Sequence, residues 1–296
     1  MFSLPAAPLR VASIPFAAPC GEIEQNVARV VAWIERAARE RIGLAVFPEA
    51  CLTGSVDGRR LGRAQMKALA TSVDGGSVQA VADAVERTGV AAGVGLIERA
   101  PDGGLYSSYV VCLPDGERRV HRKLQTDGQP HIASGDRFTV FDLQRGWRIA
   151  VLAGGDNYLV ENARIAALLG AGLLVSPHAR ADATDEANAW MRRTLPARAL
   201  DNGLFVVYSD DGEGAIVDPS GHVVAQRATG DEMISAELDP ALVGASPAQR
   251  WLETRRPELY ARLAHGSRTG SPSVEPRNAG CRGAIAVSFA IVRRDR

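Results

Sequence analysis

The stretch "RIAVLAGGDNYLVENARIAALLGAGLLVSPHA", residues 148–179, decides the fold. Short apolar runs at 148–153 and 172–176 are typical of buried strands, and residues 157–170 between them follow a helical period. A strand, turn, helix and strand in this order predict two parallel strands in one sheet. The turn at 153–156, Ala-Gly-Gly-Asp, lies at the sheet edge where ligands collect, yet it contains no Ser, Cys or Thr.

The first half of the chain has the same organisation. It contains strands at 10–16 and 42–50 around an amphipathic helix at 22–40, and V-F-P-E-A at 46–50 parallels V-S-P-H-A at 175–179. Each half then reaches a hairpin, at 106–123 and 214–226. Two mixed sheets with apolar faces would stack on each other with their helices outside. The predicted fold class is therefore α/β, a four-layer αββα sandwich.

Composition excludes several classes of function. The 296 residues are 46% hydrophobic and 23% charged, with zero formal net charge, which disfavours nucleic acid as a partner. No run approaches the roughly 18 apolar residues of a membrane span, and no leader peptide is evident at the N-terminus, so we expect a cytoplasmic protein. Four scattered cysteines and five histidines lack metal-ligand spacing, so no metal and no cofactor are predicted.

The basic residues are strongly biased toward arginine. Only Lys67 and Lys123 are lysines among 34 basic residues, which leaves 32 arginines (34 − 2). A compact ammonium cannot be replaced by a guanidinium where a point charge must fit a tight site. Lys67 is attributed to chance. Lys123, which ends the second strand of the first hairpin, is either a solvated strand-end residue or part of a site.

Glu49 is the first candidate for chemistry. It ends a strongly apolar strand, where a partly buried carboxylate could act as a general base or could simply cap a helix. Cys51 lies two residues further and would face the same side of an extended chain. Because free cysteine is commonly buried, core packing is the favoured interpretation of Cys51.

The ordered set of these motifs resembles the nitrilase or carbon–nitrogen hydrolase superfamily over residues 10–263. The motifs that carry the resemblance are "VFPEACLTG" around Glu49, "HRKL" around Lys123, the 148–179 unit, "LPARALDNGLFVVYSD", "VDPSGHVVAQ" and "RRPELY". The resemblance implies an αββα sandwich that hydrolyses amides, nitriles or carbamoyl groups through a Glu-Lys-Cys triad. It also implies a homodimer or larger homo-oligomer.

Carried over by residue, the resemblance makes Glu49 the general acid/base and Lys123 the oxyanion partner. The family pattern of Cys, any residue, then Asp or Glu, anchored on Asp156, puts the nucleophile position at Gly154. Glycine has no side chain to attack with. The remaining predicted substrate-binding residues are Gly155, Asp156, His131 and His178.

The sequence departs from the family pattern at two further places besides Gly154. The segment after Lys123 has Asp127 as its only acid, with Gln129 or His131 nearer the expected place of a second acidic group. The loop before the second hairpin is shortened to "DGEG", residues 211–214. Both concern residues that would line the pocket, so both favour altered function.

Three hypotheses follow. The favoured one is a non-hydrolytic homologue that binds a small amide-, nitrile- or carbamoyl-like ligand or a protein partner. The second is an enzyme in which Glu49 and Lys123 activate water, with His131 or His178 as further acid/base groups. The third is an amidase whose cysteine has been replaced by Gly154 in the laboratory; relocation of the nucleophile to Cys51 is the least favoured variant.

The predicted domain spans residues 1–265. Residues 266–280 are rich in Gly, Ser, Pro and Arg, so 266–296 are predicted to form an atypical mobile tail. The apolar run at 284–292 is a candidate extra strand within that tail.

Overall fold

The computed structural model describes residues 4–54, 61–126, 128–179, 185–227 and 232–264. Its first compact unit, Met1–Thr254, contains the sandwich. In chain order the elements of this unit are β1 (Leu9–Ser13), α1 (Ile23–Arg39), β2 (Leu44–Val46), α2 (Arg63–Leu69), α3 (Gly76–Thr88), β3 (Ala91–Arg99), β4 (Leu105–Cys112), β5 (Arg118–Arg122), β6 (Thr139–Asp142), β7 (Arg148–Val151), α4 (Val160–Leu168), β8 (Leu173–Pro177), α5 (Asp185–Asn202), β9 (Phe205–Ser209), β10 (Gly214–Val217), β11 (Val223–Arg227), β12 (Ile234–Leu238), α6 (Pro240–Ala245) and α7 (Ala248–Glu253).

The strands form two six-stranded mixed sheets, in the orders β12-β1-β2-β3-β4-β5 and β11-β10-β9-β8-β7-β6. In each sheet three central strands are parallel, β1 with β2 and β3, and β7 with β8 and β9. The pairs around them are antiparallel. Helical crossovers give the parallel pairs, and hairpins give the antiparallel ones except β1 with β12, which are distant in sequence.

Strand alternation sorts the apolar side chains into layers. Val11 and its neighbours on one face pack against Ile149 and its neighbours on the facing sheet, so this core lies between the two sheets. Ala12, one residue further along β1, instead packs with α1 and α3 on the outside. Ala150 likewise packs outward against α4 and α5. The predicted αββα sandwich is confirmed.

The structure differs from the sequence-based expectation in one important turn. The helix predicted over 157–170 begins only at Val160, and residues Gly154–Tyr158 form a 3₁₀ turn. The Asn157 side chain stabilises this 3₁₀ turn, because it donates to the carbonyl oxygens of Leu152 (2.7 Å) and Gly154 (3.1 Å). Strands β6 and β12 and helices α2, α6 and α7 were not foreseen at all.

The second unit is Arg255–Arg296, of which the structure describes a 3₁₀ turn at Pro257–Leu259 and helix α8 at Ala261–Ala264. The predicted tail at 266–296, with its candidate strand at 284–292, lies outside the described residues. Within the part of the chain that is described, no helix is long and apolar enough to cross a membrane.

Candidate active site

The predicted residues Glu49, Gly154 and His178 each follow the carboxyl end of a central strand, one in the first sheet and two in the second. Glu49 comes after β2, Gly154 after β7, and His178 after β8. The backbone N–H of Glu49 donates to the carbonyl oxygen of His178 at 3.0 Å. The two Pro-x-Ala motifs of the sequence are therefore hydrogen-bonded to each other across the two sheets.

Glu49 and Lys123 form a buried ion pair. Nζ of Lys123 lies 3.1 Å from Oε1 of Glu49, and each residue is only 6% exposed. The hydroxyl of Ser107 donates to the same Oε1 at 2.8 Å, and the backbone N–H of Lys123 donates to the carbonyl oxygen of Ser107 at 2.8 Å. Ser107, on β4, thus holds both members of the pair in place.

Gly95 allows the chain to carry Glu49 this close to β3. A Cβ added to Gly95 would lie 1.5 Å from the backbone oxygen of Glu49, a distance at which no side chain fits. Glycine is required here because the backbone of Glu49 fills the space that a side chain would need.

Gly154 faces the ion pair directly. A Cβ added to Gly154 would lie 2.5 Å from Oε2 of Glu49 and 2.6 Å from Nζ of Lys123. The glycine has φ of +48°, in the left-handed region that favours residues without a side chain. The ends of Glu49 and Lys123 therefore reach into the space that any side chain at position 154 would occupy.

Asp156 is fully buried and accepts four hydrogen bonds from the protein. Oδ1 accepts from the backbone N–H groups of Leu124 (2.9 Å) and Gln125 (2.7 Å). Oδ2 accepts from the N–H of Ala153 at 3.1 Å and lies 2.9 Å from Nε2 of His121. These contacts tie the turn that contains Gly154 to the segment after Lys123 and leave Asp156 directed at the protein rather than a ligand.

His178 is buried beside the ion pair. Burial, and secondarily the charge of Lys123, lower the pKa of His178 to about 3, so its ring is neutral at pH 7. Nε2 lies 3.3 Å from the Asn157 amide nitrogen, which also donates to Leu152 O and Gly154 O. The ring also packs against Tyr208, with centroids 5.0 Å apart.

The other predicted residues are less closely joined to the centre. Gly155 is buried in the 3₁₀ turn. His131 is partly buried and precedes Ile132, which packs in a separate apolar cluster with Met66 and Leu105. The described contacts do not connect His131 with Glu49 or Lys123, and Asp127 lies outside the described residues.

Cys51 is unsuited to nucleophilic attack in this conformation. It is fully buried, and burial raises the pKa of its thiol to about 12. Its sulfur accepts from the N–H of Gly95 at 3.3 Å. A thiol that stays protonated and enclosed by the core is inert.

Comparison with known proteins identifies the family. A family model described as carbon-nitrogen hydrolase matches residues 10–248. The chain belongs to the carbon–nitrogen hydrolase family. It is 32% identical over 237 residues to a hydrolase encoded in the pqqF 5′ region of Pseudomonas protegens, covering 75% of this chain and 80% of that protein. It is 30% identical over 244 residues to an (R)-stereoselective amidase of a Pseudomonas species, covering 78% and 85%.

Solved structures of the nitrilase superfamily share the fold. Nit3 of Saccharomyces cerevisiae superposes with a TM-score of 0.75 at 22% identity, covering 86% of this chain and 98% of that one. An amidase from Nesterenkonia sp. superposes with a TM-score of 0.71 at 21% identity, covering 88% and 98%. The two-sheet sandwich of this chain is thus the fold that these structures share.

Several residues that build the site were not predicted from the sequence. Ser107, Gly95, His121 and Asn157 were not singled out. His121 could have been found, because it lies two residues before Lys123 on one strand and so faces the same side. Asn157 had no such signal, since its role depends on the 3₁₀ turn that the helical period conceals.

Proposed function

We propose that this carbon–nitrogen hydrolase homologue binds a small amide-, nitrile- or carbamoyl-like ligand at the Glu49–Lys123 pair without covalent catalysis. The observation that carries the proposal is Gly154, whose absent side chain would point between Glu49 Oε2 and Lys123 Nζ at 2.5 and 2.6 Å. We assign Gly154 to the position of the family nucleophile.

The assignment is supported by the reactivity of an active-site cysteine in a structural neighbour. A glutamate-to-glutamine variant of the Nesterenkonia amidase carries acrylamide added at its active-site cysteine. A variant of it carries the acetamide moiety of fluoroacetamide at the same cysteine. A glycine at that position removes the covalent route, and general acid/base terms of about 10²–10⁴-fold do not replace it.

The Glu49–Lys123 pair has the polarity that a ligand of this class needs. A carbonyl oxygen or nitrile nitrogen would accept from the ammonium, and an amide N–H would donate to the carboxylate. Enclosure of both charges strengthens these contacts relative to water. Binding without turnover is the consequence, because polarisation of the bond remains while the attacking atom is missing.

A second candidate function is hydrolysis by an activated water molecule. It is favoured by the intact, buried pair of Glu49 and Lys123, since a carboxylate beside an ammonium could deprotonate water and stabilise the oxyanion. The third alternative, a cysteine-to-glycine trap of an ordinary amidase, predicts that restoring the thiol is sufficient for activity.

One experiment separates these functions. Ammonia release from a panel of amides, nitriles and N-carbamoyl compounds is measured for the wild type, Glu49→Gln, Gly154→Cys and the matched control Gly154→Ala, with calorimetric titration of the same panel. We expect wild-type turnover no higher than that of Glu49→Gln, together with saturable binding. Turnover that Glu49→Gln abolishes would overturn the proposal in favour of water activation. Activity in Gly154→Cys but not Gly154→Ala would favour the trap.

We further propose that the protein is cytoplasmic and that residues 1–265 are one domain. We also propose that it forms homodimers or larger homo-oligomers through its helix layers. Support for assembly comes from large apolar side chains at the start of α4, since Tyr158, Leu159 and Val160 are 40%, 41% and 55% exposed. Light scattering behind a sizing column is the test, and a monomer at micromolar concentration would contradict the assembly.

A further inference from the structure

An arginine-lined cleft of about 420 Å³ lies at the edge of the sandwich opposite the Glu49–Lys123 pair. Its lining residues include Arg10 at the start of β1, Arg41 just before β2, and Arg145 just before β7. Glu49 and Gly154 follow the far ends of β2 and β7. The cleft is therefore a separate feature that does not depend on the proposed function of the active site.

The cleft concentrates positive charge on a chain whose formal net charge is zero. Its lining includes three arginines and one acidic residue, Glu237, which lies opposite Arg10 in the register of β1 and β12. Arg10 Nη2 donates to Ser235 Oγ at 3.3 Å, and Arg145 Nη1 donates to the carbonyl oxygen of Pro8 at 3.0 Å. Because a guanidinium has five N–H donors, these bonds leave donors for an anion.

Two of these arginines occupy backbone positions that favour glycine. Arg41 and Arg145 have φ of 59° and 62°, and no other non-glycine residue in the described chain has positive φ. Arg41 follows α1 in the left-handed position that usually carries glycine, with Arg41 N–H donating to Ala38 O and Ile42 N–H to Ala37 O, each at 3.0 Å.

Arg145 is in the hairpin turn between β6 and β7, and Gly146 after it also has positive φ, 77°. Two successive left-handed residues define the hairpin turn that favours Asn-Gly or Gly-Gly. Local stability thus disfavours arginine at both positions, which are 104 residues apart in sequence (145 − 41) yet line one cleft. A cost in backbone conformation that recurs within one cleft points to a function of the side chains.

We propose that this cleft binds a small ligand carrying a diphosphate group. Guanidinium groups match phosphate oxygens in a bidentate manner, and three of them on separate segments suit two linked phosphates better than a single anion. Glu237, opposite Arg10, disfavours a larger polyanion that would cover the whole cleft.

The test uses inorganic pyrophosphate as the probe and isothermal titration calorimetry on the full chain. Variants Arg41→Gly and Arg145→Gly, singly and together, remove the guanidinium while giving each turn the residue it favours. The matched control Arg119→Gln/Arg137→Gln removes two exposed arginines outside the cleft, and citrate replaces pyrophosphate in a parallel titration.

We expect the wild type to bind pyrophosphate saturably with a Kd below about 1 mM. The double glycine variant should bind at least about tenfold more weakly and unfold at the same or a higher temperature, whereas the control binds as the wild type does. Three results would each overturn the proposal: no saturable binding, equal binding by the double glycine variant, or citrate binding as tightly as pyrophosphate. A double variant that unfolds at a lower temperature would also contradict it, since the arginines would then serve the fold.

Discussion

Lys123 Nζ lies 3.1 Å from Glu49 Oε1 in a site from which water is almost excluded. Two opposite charges this well buried stabilise each other only while both are present, because a lone ion would lack both water and a counter-ion. The same pair encloses the face of Gly154. Folding and the proposed ligand binding consequently depend on the same two side chains.

Removing one member of the pair should destabilise the fold. Glu49→Gln or Lys123→Met is expected to lower the free energy of unfolding by about 3–5 kcal/mol, and the double variant by less than the sum. Urea unfolding of the four proteins measures the coupling. The matched control is the exposed pair Arg36–Glu40, whose cycle should give below about 1 kcal/mol. Additive losses at Glu49 and Lys123 would show that the pair is not coupled.

A side chain at position 154 should be costly for two separable reasons. Gly154→Ala must adopt φ of +48° and must displace the ends of Glu49 and Lys123. Gly89→Ala is the control, because Gly89 has φ of +75° but a Cβ there would meet no atom within 4 Å. We expect about 1–2 kcal/mol of destabilisation for Gly89→Ala and more for Gly154→Ala. Equal losses of unfolding free energy for Gly89→Ala and Gly154→Ala, measured by chemical denaturation, would mean that Glu49 and Lys123 move aside at no energetic cost.

His178 should make the fold sensitive to acid. Its folded-state pKa, about 3, is below the ordinary value of 6.5, so below pH 6.5 the unfolded chain binds a proton that the folded chain does not. Stability from this group is present above pH 6.5 and is lost as the pH falls towards 3, with a limiting slope of about 1.4 kcal/mol per pH unit. His178→Gln should reduce the slope of unfolding free energy between pH 6 and pH 4 by about this amount. An unchanged slope would mean that groups other than His178 cause the acid sensitivity.

Asp156 should act as a positioning residue. Asp156→Asn keeps the shape but turns an acceptor into a donor facing backbone N–H groups, so we expect a loss of about 2–3 kcal/mol in stability. Ligand affinity should fall as well, because Leu124 N–H is no longer held beside Lys123. Calorimetric titration beside thermal unfolding checks both effects. A stable variant that only loses affinity would instead favour direct ligand contact by Asp156.

Cys51 should be unreactive in the folded protein. With the thiol pKa raised to about 12 by burial, iodoacetamide at pH 8 should label exposed Cys20 but not Cys51. Peptide mapping after labelling checks this, and addition of urea should expose Cys51 to the reagent. Rapid native labelling of Cys51 would revive it as a relocated nucleophile.

Periodicity and strand order were sufficient to predict the sandwich, because burial dictates which residues of each strand are apolar. They were not sufficient for β12, whose exposed and partly buried residues lack a clean alternation even though it pairs with β1. At the site, Glu49, Lys123 and Gly154 could be predicted as neighbours from motif order. The contacts of Ser107 with Glu49 and of Asp156 with Leu124 could not, since each joins segments that are far apart in sequence.

The most direct test of the central claim is intact-protein mass spectrometry after acid quench, with the wild type incubated with each compound of the amide and nitrile panel. Without a nucleophile at position 154, the mass should stay that of the unmodified chain at every time point. An acyl or thioimidate adduct on the wild-type chain, mapped to any side chain, would contradict the account of a non-covalent binding protein.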